Sequence, residues 1–440
     1  MIFLYILATI IFLIVFMLIR TRDKMYNYNQ KKDYCYDLKN SKKFDISKAI
    51  NLKAYDKNQT LILKLEIKSV YFLKLFAPYI KIFSDKKSEK TFFEYTAKGI
   101  RYIDISSFCG LDNVQFSAKN CKVVSNSVEI FEFENLDIEN KKVLIIAPHA
   151  DDAEIASFGL YSDAKESFIV TVTAGEGACK YCDMKEDSQS QARIKGNLRI
   201  FNALTTGLLG KVKYGNSIVL GYFNETIKSM YENKERIIAS KTAGISDINY
   251  FRRVHHSEIN TNSEASSKWS SLVIDLKNII DSINPDFILT LHPQIDSNID
   301  HKYITLALLE AMEELNCEDI KLLTFTNHLT QNEIYPYGEM FSTSCLVPRF
   351  KTPFIFDEIY SHKLSKEQQI YKYYALETMH DLRDSMIQIG FIRAFSFAFK
   401  QLRRYINGKE KSYYRRSVRT NEIFYVTNYK DLIKAYEDIK

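Results

Sequence analysis

VLIIAPHADDAE, residues 143–154, joins an apolar, β-branched run to a cluster of groups that bind metals or move protons. Val143 to Ala147 has the length and side chains of a buried strand, and the run stops at Pro148. His149, Asp151 and Asp152 follow at once. Polar chemistry therefore sits at the carboxyl end of a strand, where open α/β sheets bind their ligands.

Downstream of this turn, strands alternate with helices. Further strands are expected at 167–172, 217–220, 287–291 and 320–325, each rich in Val, Ile, Leu or Phe. Between them, Leu272, Leu276, Ile279 and Ile280 share one helical face, as do Ile304, Leu308 and Met312. The alternation predicts an α/β fold over residues 141–440, a Rossmann-like parallel sheet with helices on both faces. Neither GxxxxGK[ST] nor GxGxxG follows the first strand, so the usual phosphate cradle is missing. The strand at 287–291 ends, like the first, in polar residues: His292, Asp296, Asn298, Asp300 and His301. Two strand ends of one sheet thus supply His149, Asp151, Asp152, Asp300 and His301. Two imidazoles and a carboxylate suffice for a catalytic zinc site with one position left for water, and the Asp151, Asp152 doublet offers one ligand and one general base.

These residues resemble a known family. PHADDAE is similar to the AHPDDxE signature, and DSNIDH at 296–301 to the DxHxDH signature, of the PIG-L/LmbE-like zinc-dependent N-deacetylases. TAGEG at 173–177, LGYFNET at 220–226 and NHLT at 327–330 are further echoes, and the resemblance runs from about 142 to 337. It implies hydrolysis of the acetamide of an N-acetylglucosamine-type sugar, lipid-linked or within a glycan biosynthesis pathway. It also implies zinc on His149, Asp152 and His301, Asp151 as general base, and Asp300 orienting a ligand imidazole. Arg193 and Arg199 both lie where the family tends to place a substrate-binding Arg, and His328 in NHLT is a further substrate-binding candidate. The chain departs from the pattern at two positions. Ala150 replaces the usual proline. Asn298 replaces a His, and an amide donates a hydrogen bond but exchanges no proton. Asp151 would then act as base and afterwards as acid, or His292 would substitute.

Upstream, Met1 to Ile19 has no charged side chain, and nineteen helical residues span roughly 28 Å, about the thickness of a bilayer's hydrocarbon core. No basic n-region precedes it and no small-x-small site follows, which favours a retained transmembrane anchor over a signal peptide. Arg20, Arg22 and Lys24 after it place the rest of the chain on the cytoplasmic side. Residues 20–46 are polar and Tyr-rich and read as a linker. Residues 47–140 contain short alternating runs, among them Leu61, Leu63, Leu65 and Ile67, and predict a small β-sandwich-like domain.

Composition bounds the remaining readings. The 440 residues carry a net charge of only +6, which argues against nucleic acid as a partner. Seven scattered cysteines form no disulfide framework, and Cys179 with Cys182 is a lone CxxC. His255 and His256 adjoin Arg252 and Arg253 in a polar insertion. Near the C-terminus, Phe391, Phe395, Phe399, Leu402 and Ile406 follow helical spacing, with Arg393, Lys400, Arg403 and Arg404 on other faces and basic residues continuing to Arg419. Such a helix either packs on the sheet or lies on an anionic leaflet. Two functions stand open: a membrane-anchored zinc N-deacetylase acting on a sugar or glycolipid, and a noncatalytic glycan- or lipid-binding protein that retains the metal pocket.

Overall fold

A computed structural model describes the chain except residues 21–24, 27, 29–31, 71–75, 178–185, 255–258, 318, 349–353, 383–390, 407–411 and 438–440. Its central sheet has seven strands: Lys142–Ala147, Glu166–Thr173, Ser217–Tyr222, Phe287–Leu291, Lys321–Phe325, Glu358–Lys363 and Asn421–Thr427. Numbered along the chain, they lie in the order third, second, first, fourth, fifth, seventh, sixth. The first five are parallel, and the last two add an antiparallel edge. The order reverses between the first and fourth strands, so a crevice forms beyond their carboxyl ends.

The first strand shows why helices cover both faces. Successive side chains point to opposite sides of a sheet. Leu144 and Ile146 join a core with residues of the helices Ser188–Thr205, Trp269–Ile283 and Ile299–Leu315. Val143, Ile145 and Ala147 join another with the helices Asp152–Asp163 and Lys366–Thr378. On Trp269–Ile283 the apolar stripe Leu272, Leu276, Ile279 and Ile280 is buried, each side chain contributing about 1.5–3 kcal/mol. That helix stops at Asn284, which takes the left-handed conformation at φ 47°, and Pro285 follows.

The helix Asp152–Asp163 is locked to the sheet edge by a buried ion pair. Lys372 Nζ donates to Glu422 Oε1 and to the Ile155 carbonyl, both at 2.8 Å, while Glu422 accepts from the Gly159 and Leu160 amides. The two side chains are only 1% and 2% exposed. Removing one partner strands the other charge, so Lys372→Met is expected to destabilise the fold by about 3–5 kcal/mol. An unfolding midpoint equal to that of the unaltered protein would contradict this.

Residues 41–134 form two antiparallel sheets. The larger runs Ser41–Asp45, Ser127–Glu134, Gln59–Ser69, Lys98–Asp104, with Cys121–Val123 also on Gln59–Ser69; the smaller runs Ser88–Phe92, Tyr79–Phe83, Gln115–Lys119. Leu61, Leu63, Leu65 and Ile67 share a core with Ile80 and Ile82 of the smaller sheet. Ile62, on the otherwise polar face of its strand, is buried too. It packs with Tyr102 and Phe131 against Ile295, Leu346, Ile359 and Tyr425, so this face meets the region of the central sheet.

Several expectations change here. Part of the segment expected as a linker, residues 33–36, is packed: Tyr34 lies under the Arg101 guanidinium at 3.9 Å, and Tyr36 donates to the Val347 carbonyl. Residues 41–45 of that segment are already an edge strand. At the N-terminus the helix Ile2–Arg20 forms with the apolar side chains from Ile2 to Phe16 exposed and Met17 buried. Among the described residues no helix is long and apolar enough to cross a membrane. The helix Phe391–Ile406 touches Ile2–Arg20 and leaves Phe391, Phe395 and Leu402 exposed. Arg415, Arg416 and Arg419 do not extend a basic outer face: Arg415 pairs with Glu377, and the other two are buried. The CxxC and the pair His255, His256 lie outside the described residues.

Candidate metal centre and active site

Two strand-to-helix turns build the site. After the first strand, the Pro148 carbonyl accepts from the Thr173 amide and hydroxyl, which brace the turn on the second strand. The His149 amide donates to Asp152 Oδ2 at 2.9 Å, and Asp152 opens the helix Asp152–Asp163, where the helix dipole favours a carboxylate. After the fourth strand, Asn298 caps the helix Ile299–Leu315, its side-chain oxygen accepting from the Asp300 amide at 2.9 Å. The cap sets His301 on the first helical turn.

The turns bring His149, Asp152 and His301 together, with one ligand atom of each within 4.8 Å of the others and all three residues buried. His149 Nδ1 is 3.1 Å from His301 Nε2, and both nitrogens are 3.2 Å from Asp152 Oδ2. Ligands at 2.0–2.1 Å around a tetrahedral ion are roughly 3.3 Å apart, so this donor set fits a divalent metal such as zinc. Asp296 Oδ1 accepts from His301 Nδ1 at 2.9 Å, leaving the Nε2 lone pair turned toward Asp152 and His149. Asn327 Nδ2 donates to Asp152 Oδ1 at 2.7 Å and fixes the third member.

Electrostatics agree with a site built for a cation. Burial alone would lower the His149 imidazole, but the Asp152 and Asp300 carboxylates override it and push it up to about 9. His301 is likewise raised by Asp152 and Asp296 against the effect of burial. Burial would raise Asp152 and Asp296, yet the imidazoles beside them hold Asp152 well below its ordinary range and Asp296 at about 2. Without metal His149 is therefore protonated at pH 7, and a metal must displace that proton. Zinc added to metal-free protein in weak buffer at pH 7 should release at least one proton equivalent, and affinity should rise about tenfold per pH unit per proton displaced up to pH 9. Uptake without acid release would contradict the assignment.

Asp151 stands beside this group rather than in it. Its Oδ1 pairs with Arg199 Nη2 at 3.0 Å, and Arg199 Nη1 pairs with Asp381. Held this way, the Asp151 side chain makes no capping bond to the helix it precedes. The TAGEG loop makes room for the guanidinium. Gly175 has φ 66°, and a Cβ there would sit 2.3 Å from Arg199 Nε. His328 places its ring 5.3 Å from that of His301 and stacks on Tyr413, whose hydroxyl donates to the Asn327 carbonyl.

Other candidates fall elsewhere. His292 is fully buried: Nε2 donates to the Ile355 carbonyl, Nδ1 accepts from the Gln294 amide, and burial lowers it to about 4. Neither nitrogen is left to assist at the cluster. The oxygen of Asn298 is committed to its cap. Asp296 holds His301, whereas Asp300 faces the other imidazole, His149. Asp300 Oδ2 accepts from the Glu225 amide at 2.7 Å and lies 3.7 Å from His149 Nε2, beyond hydrogen-bond reach. Arg193 is tied to the Ala243 carbonyl and Ser190, and only Arg199 reaches Asp151. Sequence pattern alone assigns no role to Asp296, Asn327, Asp381 or Tyr413. Asp296 and Asn327 sit inside the quoted DSNIDH and NHLT segments, whereas nothing local marks Asp381 or Tyr413.

Residues 144–312 match the family model described as PIG-L: GlcNAc-PI de-N-acetylase. No curated protein matches the chain. Among solved structures, the A40926 pseudoaglycone deacetylase Dbv21 is similar at 15% identity and a TM-score of 0.37, over 67% of this chain and 99% of that one. The zinc-inhibited form of teicoplanin deacetylase Orf2 is similar at 15% and 0.35, over 65% and 98%. The 4-carboxy-2-hydroxymuconate hydratase GalB from Pseuodomonas putida KT2440 is similar at 12% and 0.33, over 66% and 95%. Likenesses this distant assign neither activity nor ligand.

Proposed function

Since residues 144–312 form a domain of the PIG-L family, we propose that this chain is a zinc-dependent N-deacetylase that removes the acetyl group from an N-acetylglucosamine-type sugar. One observation carries the reading: His149, Asp152 and His301 turn three donor atoms toward each other while Asp151, a carboxylate outside that set, stands alongside on Arg199.

Zinc held by His149, Asp152 and His301 would supply Lewis-acid chemistry, polarising the acetamide carbonyl and making water nucleophilic near neutral pH. Asp151 takes the proton of the attacking water and later delivers it to the departing amine nitrogen, so that acetate and a free amino sugar result. Arg199, braced by Asp381, keeps the Asp151 carboxylate in place for both transfers. Asp296 and Asn327 fix His301 and Asp152. His328 is the one further imidazole beside the cluster among the described residues, and it takes the substrate-facing or proton-donating role that His292 is not free to fill.

The commitment of His292, with an Asn at 298 that exchanges no proton, is also what favours the second reading, a noncatalytic glycan- or lipid-binding protein with a retained metal pocket. Acetate release from N-acetylglucosamine and N-acetylated glycolipids separates the two. Release by the metal-loaded protein supports the enzyme, and none from any of these supports the second reading.

Residues 141–440 would form the deacetylase domain, 47–140 an accessory β-domain, and the N-terminal helix a membrane anchor that leaves the site on the cytoplasmic side. The exposed apolar side chains of Ile2–Arg20, and those of Phe391, Phe395 and Leu402 on the helix touching it, support a membrane surface there. Full-length protein should float with anionic liposomes in high salt; protein that stays in the aqueous fraction would contradict the anchor.

A further inference from the structure

A cavity of about 80 Å³, partly open to solvent, shares Asn327 and Tyr413 with the metal site. Phe325, Tyr335, Tyr337 and Tyr425 give it aromatic walls, and its charged lining residues are Lys372, Glu422 and Arg419. Lys372 and Glu422 close on each other, and Glu422 also accepts two amides, so that pair is satisfied.

Arg419 is not. Only 4% exposed, it donates through Nη1 to the Ser342 hydroxyl and the Glu339 carbonyl, while Nε and Nη2 have no partner among the described residues. The acids facing it are neutral ones: burial pushes the Cys345 thiol up to about 12 and raises the Tyr335 phenol further. Arg416 adds a second positive charge, with its own donors on the carbonyls of Glu333 and Pro336. Burial, and then Arg416, lower Arg419 only to about 10, so it remains a cation at neutral pH. A buried guanidinium with two idle donors is costly unless an anion meets it. Nε and Nη2 are, moreover, the side-on fork that matches two oxygens of a phosphate or carboxylate.

We propose that this cavity is an oxyanion-binding site, taking the phosphate or carboxylate group of a small molecule on the Nε and Nη2 edge of Arg419 and its body against the aromatic walls. The site stands whether or not the chain hydrolyses acetamides. Two sources of the anion are distinguishable: a free effector, or an anionic group on the molecule that also reaches the metal site past Asn327 and Tyr413.

Thermal unfolding of the full chain tests it. Inorganic phosphate at 10 mM should raise the midpoint by ~2 °C or more over chloride at equal ionic strength. Arg419→Gln should abolish that shift, and Arg419→Lys, which keeps the charge and loses the fork, should at least halve it. If the Gln variant does not fold, the Lys variant alone decides. No phosphate-specific shift in the unaltered protein, or an equal shift in Arg419→Lys, would overturn the proposal. In a second arm, N-acetylglucosamine 1-phosphate that stabilises more than phosphate plus N-acetylglucosamine, with the excess lost in Arg419→Lys, supports the anionic-substrate source. Equal stabilisation supports the free-anion source.

Discussion

Asp151→Asn is expected to lower acetate release by ~10²–10⁴-fold while the protein retains its full complement of metal. The separation follows from geometry. Asp151 is absent from the group whose donor atoms meet, and its carboxylate is paired with Arg199 instead. An amide there keeps a hydrogen-bonding oxygen for the guanidinium but cannot take a proton from water or return one to an amine. Metal analysis and an acetate assay on one preparation check both halves. Full turnover by this variant would remove Asp151 from the mechanism, and loss of metal would move it into the ligand set.

His301→Ala should behave differently, losing metal and turnover together. His301 is fully buried between Asp152 and Asp296, and its removal leaves those two carboxylates without the imidazole that links them. Weakening a residue that merely orients a ligand typically costs 10–100-fold in metal affinity, so deleting the ligand itself should cost at least ~100-fold. Metal retained at one equivalent through dialysis would show that His301 is not a ligand. The contrast between the two variants distinguishes base from ligand more sharply than either alone.

Much of the site was legible because its parts are local. VLIIA ends at a proline and is followed directly by three polar groups, and DSNIDH carries Asp296, Asn298, Asp300 and His301 in six residues. The five parallel strands were legible for a similar reason, each being a short apolar run between helical periods. What escaped depends on distant pairing. Asn421–Thr427 inserts beside Lys321–Phe325 and carries Glu358–Lys363 on its other edge, pairings that span up to about a hundred residues. Asp381 reaches Arg199 across 182 positions. Division of labour among the acidic residues was equally hidden. Asp296 and Asp300 are both near His301 in sequence, and only the turn of the chain decides that Asp296 accepts from its Nδ1 while Asp300 meets the Glu225 amide. His292 misled because a polar residue at a strand end reads as functional until its two nitrogens are seen on backbone groups. Arg416 and Arg419 misled in the opposite sense, as surface charge that in fact turns inward.

The most direct test of the central claim is acetate release from an N-acetylated sugar of the panel by one preparation measured three times: as purified, after chelation to metal-free protein, and after one equivalent of zinc. The account predicts release that disappears on chelation and returns with zinc. Acetate released at an unchanged rate by the metal-free protein would contradict it.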